Sequence, residues 1–355
     1  MSSAEKREKK PAPGFRKEDR HEFRYQLSIA LAGAFSWFFF LIPPPFRNGF
    51  AEMCGSLFFR VSHGYRESVL RNVMQVLGKD EEDGEARAVA KSIFRNSALN
   101  FMDLLILPRR SSRSLLRTTY VVQGNWSLVD DAIKSGRGLI FLTGHVGCFD
   151  FIGQSLAARG LKLTIVTGRT TSRFIFDGVT WLRGARGANL VEPTPSGVRN
   201  VIRALRRGEC AVFLADRDFF QNGYEVEFFG RMTTLPPGVV RIARDTGAFV
   251  LPMFTRRVRG GHEIRLYPPL EIGKTSDTQA DVHRGLEIVV PYLEQGISSS
   301  IEQWAMFQDV WPEKPPATVK IFPTGSPLES ELLEKVAAHL PEIKTGDGAD
   351  GTSTR

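Results

Sequence analysis

The chain has 355 residues, 42% of them hydrophobic and 24% charged, and a formal net charge of +8. A length about twice the ~150-residue domain prior and a near-average apolar content exclude collagen-like, coiled-coil and wholly unfolded classes. Three cysteines (Cys54, Cys148, Cys210), odd in number and without a C-x-x-C pair, exclude a disulfide scaffold and a cysteine-rich zinc module and match a reducing compartment, while the basic balance points to an anionic partner: lipid headgroups, an acidic carrier protein or nucleic acid.

Residues 1–24 alternate Lys, Arg and Glu with almost no apolar content and are expected to form a flexible basic leader. From Tyr25 to Phe46 there is no charge, and Leu27, Ile29, Leu31, Phe35, Trp37, Phe38, Phe39, Phe40, Leu41 and Ile42 make a dense apolar stretch ended by Pro43 to Pro45. At ~1.5 Å per residue it is just long enough to cross ~27 to 30 Å of hydrocarbon, so residues 25–46 are expected to anchor the protein, spanning the membrane or lying in its interface. A cleavable secretory signal is one alternative, but no small-x-small site follows the apolar run. A buried core helix is the other, although Phe38-Phe39-Phe40 beside Trp37 is rare in a soluble helix.

Residues 47–135 read as a helical layer. Val69, Val73, Val76 and Leu77 fall at helical spacing, a polar turn runs from Gly78 to Gly84, and Val89, Ile93, Phe94, Leu99, Phe101 and Leu104 resume the pattern. From Gly136 the texture changes to short apolar runs, at Leu139 to Leu142, Leu163 to Val166, Asn189 to Val191, Cys210 to Leu214, Ala248 to Phe254 and Ile264 to Tyr267. These alternate with helical segments such as Gly197 to Arg207 and Gly238 to Asp245. The alternation predicts an α/β core over 136–325, a mixed sheet with parallel pairs flanked by helices, whose site lies at the carboxyl ends of the strands. Residues 326–355 are expected to be a C-terminal helix and a disordered tail.

The chemistry concentrates in Gly138 to Asp150, GLIFLTGHVGCFD, where an apolar strand runs into Gly144-His145 and an acid follows at Asp150. Positions five apart point ~140° away from each other on a helix. His145 and Asp150 can pair only if His145 sits on the strand-to-helix turn that Gly144 and Gly147 permit. Asp150 would then fix the imidazole tautomer and leave the other nitrogen as a general base; the alternative is an unrelated histidine followed by an acid at a helix N-terminus. A second strand, AVFLADRD, ends in Asp216 and Asp218, which could hold a divalent metal with a nucleotide sugar, supply His145 with an orienting carboxylate, or simply cap a turn. Arg169, Arg183 and Arg186 offer guanidinium forks for phosphate or carboxylate. Cys148, flanked by Val146 and Phe149, reads as a buried thiol rather than a nucleophile. Gly153-Gln154-Ser155-Leu156-Ala157 lacks the final glycine of a nucleophile elbow and falls inside a helix. The chain carries no P-loop and no Rossmann glycine fingerprint.

His145, four residues, then Asp150 resembles the histidine-acid motif of glycerolipid acyltransferases. The stretch VEFFGRMTTLPPGVVRIARDTGAFVLP from Val226 to Pro252, with Phe228-Phe229-Gly230, Pro237-Gly238, Thr246-Gly247-Ala248 and Pro252, resembles one branch: the late lipid A acyltransferases and the related phosphatidylinositol mannoside acyltransferases. AVFLADRD resembles the strand before that signature, and EQWAMFQDVW, Glu302 to Trp311, resembles the branch's C-terminal helix motif. Asp at 150 is closer to the mannoside members, since lipid A members often carry Glu there.

The resemblance implies an O-acyltransferase moving a fatty acyl chain from acyl-carrier protein or acyl-CoA to a hydroxyl of a membrane glycolipid. His145 is the implied base and Asp150 its orienting acid, with Asp216 sharing or taking over that role. Arg169, Arg183, Asp218 and the backbone near Gly147 are expected to bind substrate or stabilise the oxyanion. No metal, no cofactor beyond the acyl donor as co-substrate, and no nucleic acid are expected. The expected location is the inner membrane, with the catalytic part on its cytoplasmic face. The rival readings are a D-x-D metal-dependent glycosyltransferase and a non-catalytic membrane lipid-binding protein; a nucleic-acid binder ranks last, because the basic residues are not gathered in a recognition helix.

Overall fold

A computed structural model describes residues 17–168, 172–218 and 223–312 of the chain. Most of the basic leader, and the helix and tail expected over 326–355, lie outside the described residues. Four helices come first. α1 (Lys17–Leu41) takes in the uncharged stretch and stops where Pro43 to Pro45 fix φ and remove donors. α2 (Pro44–Val61) carries its prolines at the first helical positions, where a missing N–H is harmless. α3 (His63–Leu77) closes on Gly78 in the left-handed region. α4 (Gly84–Ile106) opens on Asp83, whose carboxylate accepts from the Ala86 N–H at 2.8 Å. The polar turn seen in the sequence is therefore a helix stop followed by a helix start.

After a 3-10 turn (Leu107–Arg109) and a short α5 (Ser112–Arg117), strands and helices alternate: β1 (Thr119–Gln123), α6 (Ser127–Lys134), β2 (Leu139–Thr143), α7 (Phe149–Ala158), β3 (Leu163–Val166), α8 (Arg173–Arg183), β4 (Asn189–Val191), α9 (Pro195–Arg206) and β5 (Cys210–Leu214). A hairpin of β6 (Tyr224–Phe228) and β7 (Arg231–Leu235) follows, then α10 (Gly238–Thr246), β8 (Phe249–Val258), β9 (Gly261–Leu266), α11 (Thr278–Ser298) and a 3-10 turn (Ile301–Gln303). Among the described residues seven strands form one sheet in the order β1-β9-β8-β2-β5-β3-β4. Neighbours in it are parallel except β8 and β9.

Burial explains why β2 and β5 read as unbroken apolar runs: helices cover both faces of the sheet. On β2, Ile140 and Leu142 pack with Val201 and Leu205 of α9, Val239 and Val240 of α10, and Val282 and Leu286 of α11. Leu139 and Phe141 turn the other way, onto Val129 and Ala132 of α6 and Ile152 and Leu156 of α7. The half-exposed edge strand β1 and the β6–β7 hairpin escaped the sequence reading because neither presents a continuous apolar run.

One segment departs from expectation. Glu302 to Trp311 was expected to be helical, yet after the 3-10 turn at Ile301–Gln303 it runs as a strap. Trp304 forms an antiparallel bridge with Val146, and the Ala305 N–H donates to the His145 carbonyl at 2.8 Å, which takes the backbone groups that a helix would need.

Among the described residues no helix is long and apolar enough to cross a membrane, so a spanning anchor is not part of this structure. α1 instead turns its small residues inward. Ser28 and Ser36 are buried, the Ser28 hydroxyl donates to the Phe174 carbonyl at 2.5 Å, and an added Cβ at Gly178 of α8 would stand 3.0 Å from that hydroxyl and 3.5 Å from Ala32. Phe23, Leu27, Leu31, Phe35, Trp37, Phe38 and Leu41 are left exposed.

Candidate active site

β2 and β5 are adjacent and parallel, with Leu139 opposite Cys210 and Thr143 opposite Leu214. The ladder continues one bond further, from the Ala215 N–H to the Thr143 carbonyl at 2.9 Å. Two residues beyond that last pair, on each strand, stand His145 and Asp216. Register alone therefore brings the histidine and this acid together at the carboxyl edge of the sheet, the position at which open α/β sheets bind ligands.

The contact is close and over-determined. His145 Nδ1 meets Asp216 Oδ1 at 2.8 Å, and the His145 backbone N–H donates to Asp216 Oδ2 at 2.7 Å. The same Oδ2 accepts the Trp304 indole N–H at 2.9 Å. Asp216 is fully buried. Burial works against its charge, but His145 and the donors around it outweigh that effect and hold the carboxyl below the usual carboxylate range. With Nδ1 donating to a carboxylate, neutral His145 is the Nδ1–H tautomer and its Nε2 lone pair is available. Nε2 has no hydrogen-bond partner among the described residues, the side chain is 27% exposed, and the Phe149 ring stands edge-on at 5.5 Å.

Two glycines make this approach possible. A Cβ at Gly144 would lie 2.8 Å from Asp216 Oδ2. Gly147 has φ +63°, and a Cβ there would stand 2.2 Å from the Thr255 carbonyl oxygen. The turn between β2 and α7 therefore sets the imidazole against Asp216 at the end of β5, while its backbone at Val146 and Gly147 packs on Thr255 of β8.

Asp150, expected to orient the imidazole, is placed elsewhere. It lies in the first turn of α7, and its carboxylate sits in the fork of Arg183 on α8, with Nε at 2.6 Å from Oδ1 and Nη2 at 3.2 Å from Oδ2. Arg183 also donates to the Thr167 hydroxyl at 3.0 Å. Burial works against the guanidinium, yet the Asp150 charge holds it firmly protonated. The fork proposed for a substrate anion is thus filled by a carboxylate of the chain itself. The physical reason is helical phase: once α7 starts at Phe149, Asp150 is directed to α8 rather than back to the turn.

The other expected site residues separate in the same way. Arg169 lies outside the described residues. Asp218 accepts from the Gly223 N–H at 2.8 Å and the Thr234 hydroxyl at 3.1 Å, so it closes the base of the β6–β7 hairpin while Asp216 faces His145. The two acids do not converge on one point, which weighs against a shared metal. Gly147 spends its own N–H on the Gln303 carbonyl at 3.1 Å and its carbonyl on Asn100 Nδ2 at 2.7 Å, so its part is conformational. Arg186, just past the end of α8, ties that turn to the helical layer by donating to the carbonyls of Leu107 and Arg110. Ser155 is buried within α7, as the sequence reading had it.

A second buried cluster lies under α7. Asp103, Cys148 and His262 bring three potential ligand atoms within 4.8 Å of one another. Arg257 already meets Asp103 Oδ2 at 2.6 Å, and the Phe151 ring stacks on His262 at 3.9 Å. Burial, with the Asp103 charge, pushes the Cys148 thiol well above its ordinary range. A neutralised ion pair beside a thiol held in its protonated form is a poor metal ligand set, and it equally removes Cys148 as a nucleophile.

The residue that the sequence reading passed over is Trp304. It lay inside the EQWAMFQDVW motif, but nothing local said that its indole would reach an acid on β5.

The chain is similar to known proteins along most of its length. Residues 12–313 match the family model described as bacterial lipid A biosynthesis acyltransferase. A phosphatidylinositol mannoside acyltransferase of Mycobacterium tuberculosis (strain CDC 1551 / Oshkosh) is 27% identical over 269 residues, covering 75% of this chain and 82% of its own length. That of Mycolicibacterium smegmatis is 24% identical over 261 residues, covering 71% and 82%. A lipid A biosynthesis acyltransferase of Haemophilus influenzae is 23% identical over 155 residues, covering 43% and 48%. With one family model running through helical layer, sheet and strap, the chain belongs to the bacterial lipid A biosynthesis acyltransferase family and is an acyltransferase.

Proposed function

We propose that the protein transfers a fatty acyl chain from a thioester, acyl-carrier protein or acyl-CoA, to a hydroxyl of a membrane glycolipid, with His145 as general base. The observation that carries this reading is the open Nε2 of an imidazole whose Nδ1 is held by the buried Asp216 at 2.8 Å. The acceptor hydroxyl gives its proton to Nε2 as its oxygen attacks the thioester carbonyl. The tetrahedral intermediate collapses by breaking the carbon–sulfur bond, and the thiolate takes the proton back from imidazolium. Asp216 stabilises the imidazolium by charge. N–H groups opening α7, whose N-cap Cys148 makes no side-chain cap, support the developing oxyanion together with the helix dipole. Neither a metal nor a covalent enzyme intermediate is needed for attack on a thioester.

The acceptor in this reading is a glycolipid of the phosphatidylinositol mannoside or lipid A precursor type, a choice supported by the names of the relatives. In keeping with a lipid acceptor, α1 and α2 leave Phe35, Trp37, Phe38, Leu41, Phe46, Phe50, Met53, Leu57 and Val61 exposed, and large apolar side chains exposed together mark a membrane or partner contact. This face lies in the membrane interface, on the cytoplasmic side of the inner membrane where thioester donors are found.

The test is acyl transfer by purified protein in mixed micelles, with a labelled thioester donor and each glycolipid acceptor in turn. His145→Ala is expected to lose about 10² to 10⁴-fold in turnover while retaining lipid binding. Full activity in that variant would remove the mechanism.

A further inference from the structure

We propose that Trp304 is a positioning residue of the acyl-transfer site: its indole N–H fixes the rotation of the Asp216 carboxylate so that Oδ1 is the oxygen presented to the His145 imidazole. The proposal rests on His145 acting as the base. Three donors meet the two oxygens of Asp216. Oδ2 takes the backbone N–H of His145 at 2.7 Å and the indole at 2.9 Å, which leaves Oδ1 to Nδ1 at 2.8 Å. A carboxylate can rotate about its Cβ–Cγ bond and exchange its oxygens. Two donors on one oxygen remove that freedom and hold the acceptor in line with the imidazole.

Trp304 is itself held from four sides. Its backbone bridges Val146, within the catalytic turn, while the flanking Gln303 carbonyl and Ala305 N–H bond Gly147 and His145. The Gln303 side chain clamps both backbone groups of Arg257 on β8, at 2.7 and 2.9 Å. Asn96 of α4 donates to the Glu302 carbonyl at 2.9 Å. Asn72 of α3 bonds Gln308 and Val310 further along the strap, at 2.7 and 3.0 Å. The strap thereby reaches the backbone of the catalytic turn through Gln303 and Ala305 and the Asp216 carboxylate through the Trp304 ring, which is completely buried. A buried indole needs one acceptor. Here that acceptor is the acid already engaged by the base.

The charged groups coupled to Asp216 are His145 and, from its own strand end, Arg217, whose cation burial weakens and Asp216 supports. Both are unchanged by substitution at 304. Removing a donor from the carboxylate makes it more basic, which favours imidazolium, so the acid limb of the rate profile moves to higher pH.

The experiment compares full-length wild type with Trp304→Phe and with a form carrying 3-benzothienylalanine at 304, in which sulfur replaces the indole N–H and the shape is kept. The expected result for the isostere is roughly a tenfold fall in kcat with KM little changed, and an acid limb of kcat/KM raised by about half a unit. An isostere with wild-type kcat and pH profile, beside an impaired Trp304→Phe, would show that only shape matters and overturn the proposal. His145→Ala run in parallel separates the two readings: if that variant is active the base assignment fails, and if it is inactive while the isostere is normal only the role of Trp304 fails.

Discussion

Asp150 and Arg183 form a two-pronged ion pair between the first turn of α7 and the last turn of α8, at 2.6 and 3.2 Å. The acid that the histidine motif offers as an orienting partner and the arginine that offers itself to phosphate thus neutralise each other. Their common effect is to fix α8, and with it α1 packed on α8, against the helix that follows the catalytic turn.

The first expectation follows from that pair. Removing one partner leaves a largely buried charge uncompensated, so Asp150→Asn and Arg183→Gln should each destabilise the protein by on the order of 3 kcal/mol, and the double variant should recover part of it. Thermal unfolding of the three variants measures this. A raised KM at unchanged stability in Arg183→Gln would instead mean that the guanidinium binds substrate.

The dyad should behave as one unit. Asp216→Asn keeps an oxygen and the shape but loses the charge that stabilises imidazolium, and a fall in kcat of about 10² to 10⁴-fold is expected for it, as for His145→Ala. The double variant should be no worse than the more damaged single. Additive losses in single-turnover assays would place the two residues in separate steps.

Asp216 also links stability to acidity. Its folded carboxyl titrates below the ordinary value of about 4, so its contribution is present in full above that value and is lost as pH falls through the lower, folded value. Denaturant unfolding from neutral pH downwards should show wild type more stable than Asp216→Asn near pH 7, with the two curves converging at the acid end. Parallel curves over the whole range would separate the ionisation of Asp216 from folding.

Cys54 is a built-in reporter for the membrane face. It is exposed on α2 one turn from Phe50 and Phe58, which are exposed as well, while Cys148 and Cys210 are buried and the Cys210 thiol is pushed up to about 12 by burial and by the nearby Glu209 charge. A water-soluble maleimide should label Cys54 alone, and anionic vesicles should slow that labelling several-fold. Binding should survive about 1 M salt, where exposed charges are screened. Met53→Glu with Leu57→Glu should abolish protection. Labelling unaffected by vesicles would remove the interfacial reading.

Much of the architecture was legible because it is written in local periodicity. Short apolar runs such as Leu139 to Leu142 and Cys210 to Leu214, alternating with helical segments, read as strands of an α/β sheet, and the polar turn from Gly78 to Gly84 separates one helix from the next. Even the turn that carries His145 was readable from Gly144 and Gly147. Its partner was not. Which acid meets the imidazole depends on β5 lying beside β2 with Thr143 opposite Leu214, although β3 and β4 come between them in the chain. Strand order is a long-range choice made by packing helices on both faces of the sheet, and no residue near His145 records it. The same holds for Trp304, more than a hundred residues further along: its motif marks it as distinctive, but only a closed fold brings an indole N–H to 2.9 Å from a buried carboxylate and makes a strap of what reads as a helix.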